Sequence, residues 1–349
     1  MIFIGPLPPP IMGMSAMNQA VLEQLSAVGI EVKMINISPK SLRRNILSRL
    51  TKLPAVFIGL LQLRKMLKKK KTPVYISIAS RWGQVYDLCM VIIARIYGVG
   101  IIFHHHTFVF LLKKKYLPSI LFLIAGKKAR HIVLCKTMSQ CLKKHYQTVN
   151  VTVVSNITLM PLLNGTTRKK LNTIGFISNI TAEKGAYLMI ELAKAIASKQ
   201  LPVKIIMAGP CPESTLSLTL KRADREGVLK WIGPVYNKDK TIFFSSIDAL
   251  IMPTQNEAEP LVIWEALGTG SPVISYGRGC ISEQIKENAG VIIKIRDDFV
   301  ANALKTIEQW LSDPLQYSNC SASALKVYQD AITNCEQGKA RLLNVVNYE

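Results

Sequence analysis

The chain has 349 residues, 49% of them apolar. That suits folded cores and about two domains, and it excludes a disordered protein. The formal charge of +22 concerns partners rather than fold.

In chain order, short β-branched runs alternate with helical patterns. Residues 1–5, 31–37, 74–78, 100–104, 131–135 and 151–156 read as strands. Most lack polar alternation, as strands covered on both faces do. The helical pattern at 15–29 starts on Ser15 and stops on Gly29. The turn-rich stretch 158–170 breaks the rhythm and is expected to be a linker. Strands then return at 172–178, 203–209, 249–253, 272–276 and 289–295, with a helix at 185–198 and helices across 300–349. The expected fold class is α/β: two doubly wound, Rossmann-like domains facing a cleft. The first spans 1–160 and the second 170–325, with 326–349 a C-terminal helix packing back on the first. No signal peptide is expected before the strand-like opening, and no run is long and apolar enough for a transmembrane helix. Seven cysteines, odd in number and without a C-x-x-C pair, fit free thiols in a reducing cytoplasm.

The charge is uneven. Residues 1–165 hold 23 Lys and Arg against 3 Asp and Glu, whereas 166–349 hold 21 against 19. Residues 41–71 hold ten Lys and Arg and no acid. Residues 55–71 set an apolar run beside a cationic one, and 111–128 repeat the theme. Such segments fit either a solvated helix face or one lying on an anionic bilayer. No nucleic-acid recognition motif is visible, so no specific nucleic-acid partner is expected.

In "NEAEPLVIWEALGTGSPVI" (256–274), Glu257 and Glu265 lie eight positions apart. The first sits in a strand-to-helix loop and the second inside the helix. Pro260 fits the first helical position, and the helix start would offer free amides to an anion. The plain alternative is a solvated loop acid and a water-facing helix acid. In "GFISNITAEKGAYLMIELAKAI" (175–196), Lys184 and Gly185 stand at a second helix entry. Lys184 could meet a phosphate there or simply be solvated. "FHHHTF" (103–108) follows a strand, and alternation puts His104 and His106 on one face. Each could be a satisfied core histidine, and a zinc site is the weaker alternative. His131 and His145 receive no role. No D-x-D triplet occurs, so no metal-anchored donor is expected. A fixed cation with helix dipoles would do that electrostatic work.

These pieces come in a consistent order: "PPPIMG" at 8–13, "SNITAEKG" at 178–185, "AGP" at 208–210, "WIGPV" at 231–235, the Glu257/Glu265 pair, "GTGSPVI" at 268–274 and "RGCISEQI" at 278–285. The set resembles the retaining GT-B-fold glycosyltransferases of the family 4 type. The resemblance is strong over the C-terminal domain and thin over the N-terminal one. It implies that Lys184 grips a donor diphosphate, Glu257 contacts the transferred sugar and Glu265 contacts the nucleotide ribose. It also implies that the amides of Leu261 and Val262 hold sugar hydroxyls and phosphate, that Gly13 approaches the diphosphate, and that a histidine of the 104–106 run touches the sugar. Two positions depart from the pattern. Asn179 stands where many members have an arginine, and Met14 where many have a second glycine.

The expected activity is therefore hexosyl-type transfer from a nucleoside diphosphate sugar, without other cofactors, to a membrane-associated glycan or lipid-linked acceptor. The expected location is cytoplasmic, peripheral on the inner membrane face. The alternatives are a same-fold sugar-nucleotide epimerase or hydrolase, a relative that has lost catalysis, or a basic nucleic-acid- or membrane-binding protein.

Overall fold

The computed structural model describes residues 1–10, 13–38 and 53–347. Part of the "PPPIMG" opening and residues 41–52 of the basic tract lie outside the described residues. The chain forms two compact units, Met1–Met160 with Asn334–Glu349, and Pro161–Thr333.

The first unit alternates β1 (Ile2–Gly5), α1 (Gly13–Ala27), β2 (Lys33–Asn36), α2 (Leu53–Lys69), β3 (Val74–Ile78), α3 (Gly83–Ile96), β4 (Ile101–His105), α4 (Tyr116–Ala125), β5 (Arg130–Val133), α5 (Lys136–Tyr146) and β6 (Val151–Val153). Its strands are all parallel, in the order β2-β1-β3-β4-β5-β6. After β2 every step along the sheet runs the same way. Right-handed crossovers therefore put α2, α3 and α4 on one face, where they pack side by side.

The second unit runs β7 (Thr173–Ile177), α6 (Ala186–Ser198), β8 (Lys204–Ala208), α7 (Ser214–Arg225), β9 (Lys230–Trp231), α8 (Asn237–Ser246), β10 (Ala249–Met252), α9 (Leu261–Gly268), β11 (Val273–Tyr276), α10 (Ile281–Gln284), β12 (Gly290–Ile293), α11 (Phe299–Ser312) and α12 (Pro314–Thr333). Its parallel sheet has the order β12-β11-β10-β7-β8-β9. The chain then returns to the first unit as α13 (Cys335–Val346).

In the first unit Phe3, Tyr75, Ile102 and Ile132 come from four adjacent strands and share a face. They are covered by Leu22 and Leu25 of α1 and by Leu342 and Val345 of α13. The Arg130 guanidinium donates to the carbonyls of Val345 (2.7 Å) and Asn347 (2.8 Å), satisfying the end of α13. In the second unit Ile174, Phe176, Met207 and Ile251 pack against Met189, Ala193 and Ile307.

Several boundaries differ from those read in the sequence. Helix α1 begins at Gly13, two residues early, and Ser15 is not its cap; its hydroxyl donates to the Pro10 carbonyl at 2.9 Å. Residues 161–172 belong to the second unit rather than spanning free between domains. Leu163 N–H donates to the Tyr328 hydroxyl at 2.9 Å, and the Arg168 guanidinium reaches the Ser245 carbonyl at 3.1 Å. The crossing back falls after Thr333 rather than at 326, because α12 continues unbroken to that point. Cys89, Cys141, Cys211, Cys320 and Cys335 are free thiols, as expected; Cys135 and Cys280 are not. Among the described residues no helix is long and apolar enough to cross a membrane.

Candidate functional site

In the second unit β7 and β10 lie side by side at the centre of the sheet. From them the chain builds outward in opposite directions, to β8 and β9 on one side and to β11 and β12 on the other. This is a topological switch point, where the loops at the carboxyl ends part and ligands bind. The two loops that leave it carry Lys184 and Glu257.

The loop after β7 ends in a 3₁₀ turn, Ala182–Lys184, closed by Gly185 at φ +82°. A Cβ on Gly185 would lie 2.4 Å from the Pro253 carbonyl oxygen, so glycine lets the two loops touch. The Gln255 N–H donates to the Glu183 carbonyl (3.2 Å), and the Asn256 amide donates to the Glu183 carboxylate (3.0 Å). With the loops clamped in this way, the Lys184 ammonium donates to the Glu257 carboxylate, and both side chains are half-buried.

The loop after β11 braces the same region. The Cys280 N–H donates to the Ala258 carbonyl at 2.7 Å, and the Gln284 amide donates to the Pro260 carbonyl at 3.2 Å. Pro260 is the N-cap of α9 rather than its first helical residue. Leu261 and Val262 therefore open the helix, and their N–H groups have no intrahelical acceptor. Glu265, one turn on, accepts from the Lys240 ammonium at 2.6 Å. Neither glutamate is a freely solvated acid; each faces a lysine.

Four buried polar atoms around this end of the sheet have no hydrogen-bond partner: Ser178 Oγ, Thr254 Oγ1, Glu265 Oε2 and Arg278 Nε. Buried polar groups are ordinarily paired, so three on neighbouring loops and one on α9 mark a place built to receive polar atoms. Asn179 is half-buried beside Ser178.

The first unit has its own switch point, between β1 and β3. The loop after β1 leads into α1, so Gly13 stands at a helix start, with open space where a side chain would be. Met14 follows it, half-buried. His104 ends on the same face as His106, their rings 3.9 Å apart. His104 Nδ1 lies 2.7 Å from the Tyr75 hydroxyl, and the Nε2 atoms of both histidines are buried without partners. His105 points the other way and meets His131 at 3.0 Å, a pairing that gives His131 a structural role. Among the described residues no group of three or more His, Cys, Asp or Glu could hold a metal ion.

Burial keeps these histidines uncharged. It holds His104 and His105 well below the ordinary range, His106 at about 4 and His131 at about 3. An unfolded histidine gains its proton near pH 6.5, so the unfolded state binds more protons as the pH falls through that value. Stability present above pH 6.5 is then lost on acidification, by roughly 2 kcal/mol per histidine at pH 5. Asp87 opposes this. Burial pushes its carboxyl up to about 7, so the folded state takes up a proton that the unfolded chain does not until nearer pH 4. Four histidines outweigh one aspartate. Thermal melts at pH 7.5 and pH 5 should show a clear fall, steeper in Asp87→Asn; a flat profile would contradict the assignment.

Sequence reasoning missed Lys240, which lies on α8 with no spacing rule tying it to Glu265. It also missed Glu259, buried and accepting from the Trp264 indole at 3.0 Å. Arg278 was within reach of sequence reading, since it opens the quoted "RGCISEQI" stretch.

Two parallel, doubly wound sheets in one chain are the architecture of GT-B glycosyltransferases, and solved GT-B structures share it. Residues 164–327 match the family described as Glycosyl transferases group 1. The chain is similar to the D-inositol 3-phosphate glycosyltransferase of Corynebacterium urealyticum, 23% identical over 133 residues, which cover 36% of this chain and 31% of that protein. It spans less than half the length of the curated relatives it matches. HepE from Anabaena, solved with UDP-glucose, superposes with a TM-score of 0.69 at 14% identity, covering 98% of this chain and 99% of that one. Sucrose-phosphate synthase from Thermosynechococcus elongatus superposes at 0.76 and 12% identity, covering 99% and 97%.

Proposed function

We propose that the chain is a retaining, hexosyl-type glycosyltransferase that takes a sugar from a nucleoside diphosphate donor. The observation that carries this reading is the Lys184–Glu257 pair beside the start of α9, at the switch point of the group 1 domain. A lysine ammonium has three donors, so Lys184 can keep Glu257 while giving another hydrogen bond to a diphosphate oxygen. The amides of Leu261 and Val262 add the positive end of a helix dipole. Together they stabilise the charge that builds on the leaving diphosphate, which is the part of the reaction a fixed cation assists most. Glu257 then orders the hydroxyls of the transferred sugar, held in place by its lysine partner. Glu265 reads the ribose through the oxygen that Lys240 leaves unused. Gly13 approaches the diphosphate, and neutral His104 and His106 contact the sugar. No metal or other cofactor is needed for these roles.

The acceptor is a membrane-associated glycan or a lipid-linked sugar, and the protein works in the cytoplasm on the inner membrane face. The strongly basic first unit supports this placement. Incubating the protein with a panel of nucleotide sugars, with and without membrane lipid extract, tests the reading. Transfer requires acceptor and yields an α- or β-linkage matching the donor. Epimerised or hydrolysed donor without acceptor would replace transfer with the rival chemistry. In the same assay Glu265→Gln should raise KM for the donor about 10-fold and leave kcat nearly unchanged, because ribose contacts bind ground and transition states alike.

A further inference from the structure

We infer that the outer face of α2, α3 and α4 is a docking surface for an anionic lipid bilayer. The inner faces of these helices are apolar and buried, through Leu63 and Leu67 of α2, Met90 and Val91 of α3, and Leu121 and Phe122 of α4. A helix lying on a sheet should then turn polar residues outward. These three do not. Helix α2 exposes Phe57, Ile58 and Leu61, and α3 exposes Val85, Ile92 and Ile96, the last at 76%. Helix α4 exposes Tyr116 at 92%, Ile120 and Leu123 at 81%. Along each helix the exposed residues recur at helical spacing, so each set is one stripe. Because the helices pack side by side on one face of the sheet, the stripes adjoin. A set of adjoining exposed apolar stripes marks an interaction site.

Charge identifies the occupant. Exposed lysines flank the stripes: Lys68 and Lys69 close α2 and Lys70 and Lys71 follow it, Lys113 to Lys115 precede α4, and Lys127 follows it. Between Glu31 and Glu183 the sequence holds a single acid, Asp87, and it is buried. Residues 32–182 therefore contribute no exposed carboxylate to this face. A second copy would bring the same excess of positive charge against this one, which disfavours self-association. An anionic bilayer offers what the face matches, an apolar layer beneath a negative headgroup plane, with tyrosine suited to the boundary. This gives the location proposed above a physical surface. It does not depend on the transfer chemistry.

The test is flotation of the full chain with phosphatidylcholine vesicles, with and without phosphatidylglycerol, at low salt and without any donor. Binding is expected only with phosphatidylglycerol. The double substitution Tyr116→Ser, Leu123→Ser should weaken it at least about 10-fold at unchanged circular dichroism. Lys68→Gln should weaken it about 5-fold. Equal binding to neutral vesicles, no binding at all, or full binding by the double variant would each overturn the inference. So would a dimer in sedimentation that the double variant abolishes, which would assign the face to a second copy. Because no donor is present, any of these failures leaves the transfer reading untouched.

Discussion

Lys184→Met is expected to lower kcat/KM for sugar transfer by roughly 10²–10³-fold, the usual cost of removing one preorganised charge from a developing anion. The loss should fall mainly on kcat, since the charge on the diphosphate grows as the sugar departs. Stability should change little. The Lys184–Glu257 pair is partly solvated, and Gly185, Asn256 and Gln255 hold the two loops together independently of it. Glu257→Ala should produce a comparable loss by a different route, because Lys184 then stays but the sugar loses its ordering carboxylate. Steady-state kinetics on both variants, with melting curves as controls, check this. Wild-type turnover in either would remove that residue from the mechanism.

Gly209→Ala is expected to destabilise the second unit by about 3 kcal/mol or more, lowering its melting temperature by roughly 6–12 °C. Gly209 follows β8 directly at φ +127°, a conformation essentially confined to glycine. A Cβ there would lie 1.7 Å from the Ser178 carbonyl oxygen, backbone that has nowhere to go. Nor can Gly209 move aside. Its N–H donates to the Gly233 carbonyl at 2.7 Å, and its carbonyl accepts from the Trp231 indole at 3.1 Å. Gly227→Ala is the control. That glycine also has positive φ, +72°, but no atom stands within 4 Å of a Cβ. Its cost should be only about 1 kcal/mol. Equal melting temperatures for the two variants would show that the close approach at Gly209 carries no weight.

The strands were legible because a sheet covered on both faces demands continuous apolar runs, and "VYISI" and "TIGFI" can satisfy little else. The short strand β9 was not, since Lys230 and Trp231 provide no run at all. The boundary at Thr333 was hidden because helical periodicity passes smoothly from α12 into α13, and only tertiary contacts with Thr158 and Arg130 place the second helix elsewhere. In the site, Glu257 and Lys184 could be read from local motifs, because loop and helix entry are features of sequence. Their mutual pairing could not. It depends on β7 and β10 being neighbours, which is a property of strand order. Lys240 and the His105–His131 contact were illegible for the same reason. Pro260 was misplaced by one residue, since proline suits the cap and the first helical position almost equally.

The most direct test is a structure of the full chain soaked with UDP-glucose as probe. The diphosphate is expected at the start of α9, within hydrogen-bond reach of the Lys184 ammonium and the Leu261 and Val262 amides, with Glu257 on the glucose hydroxyls. A diphosphate bound at another strand end, or Lys184 turned away from it, would contradict the assignment.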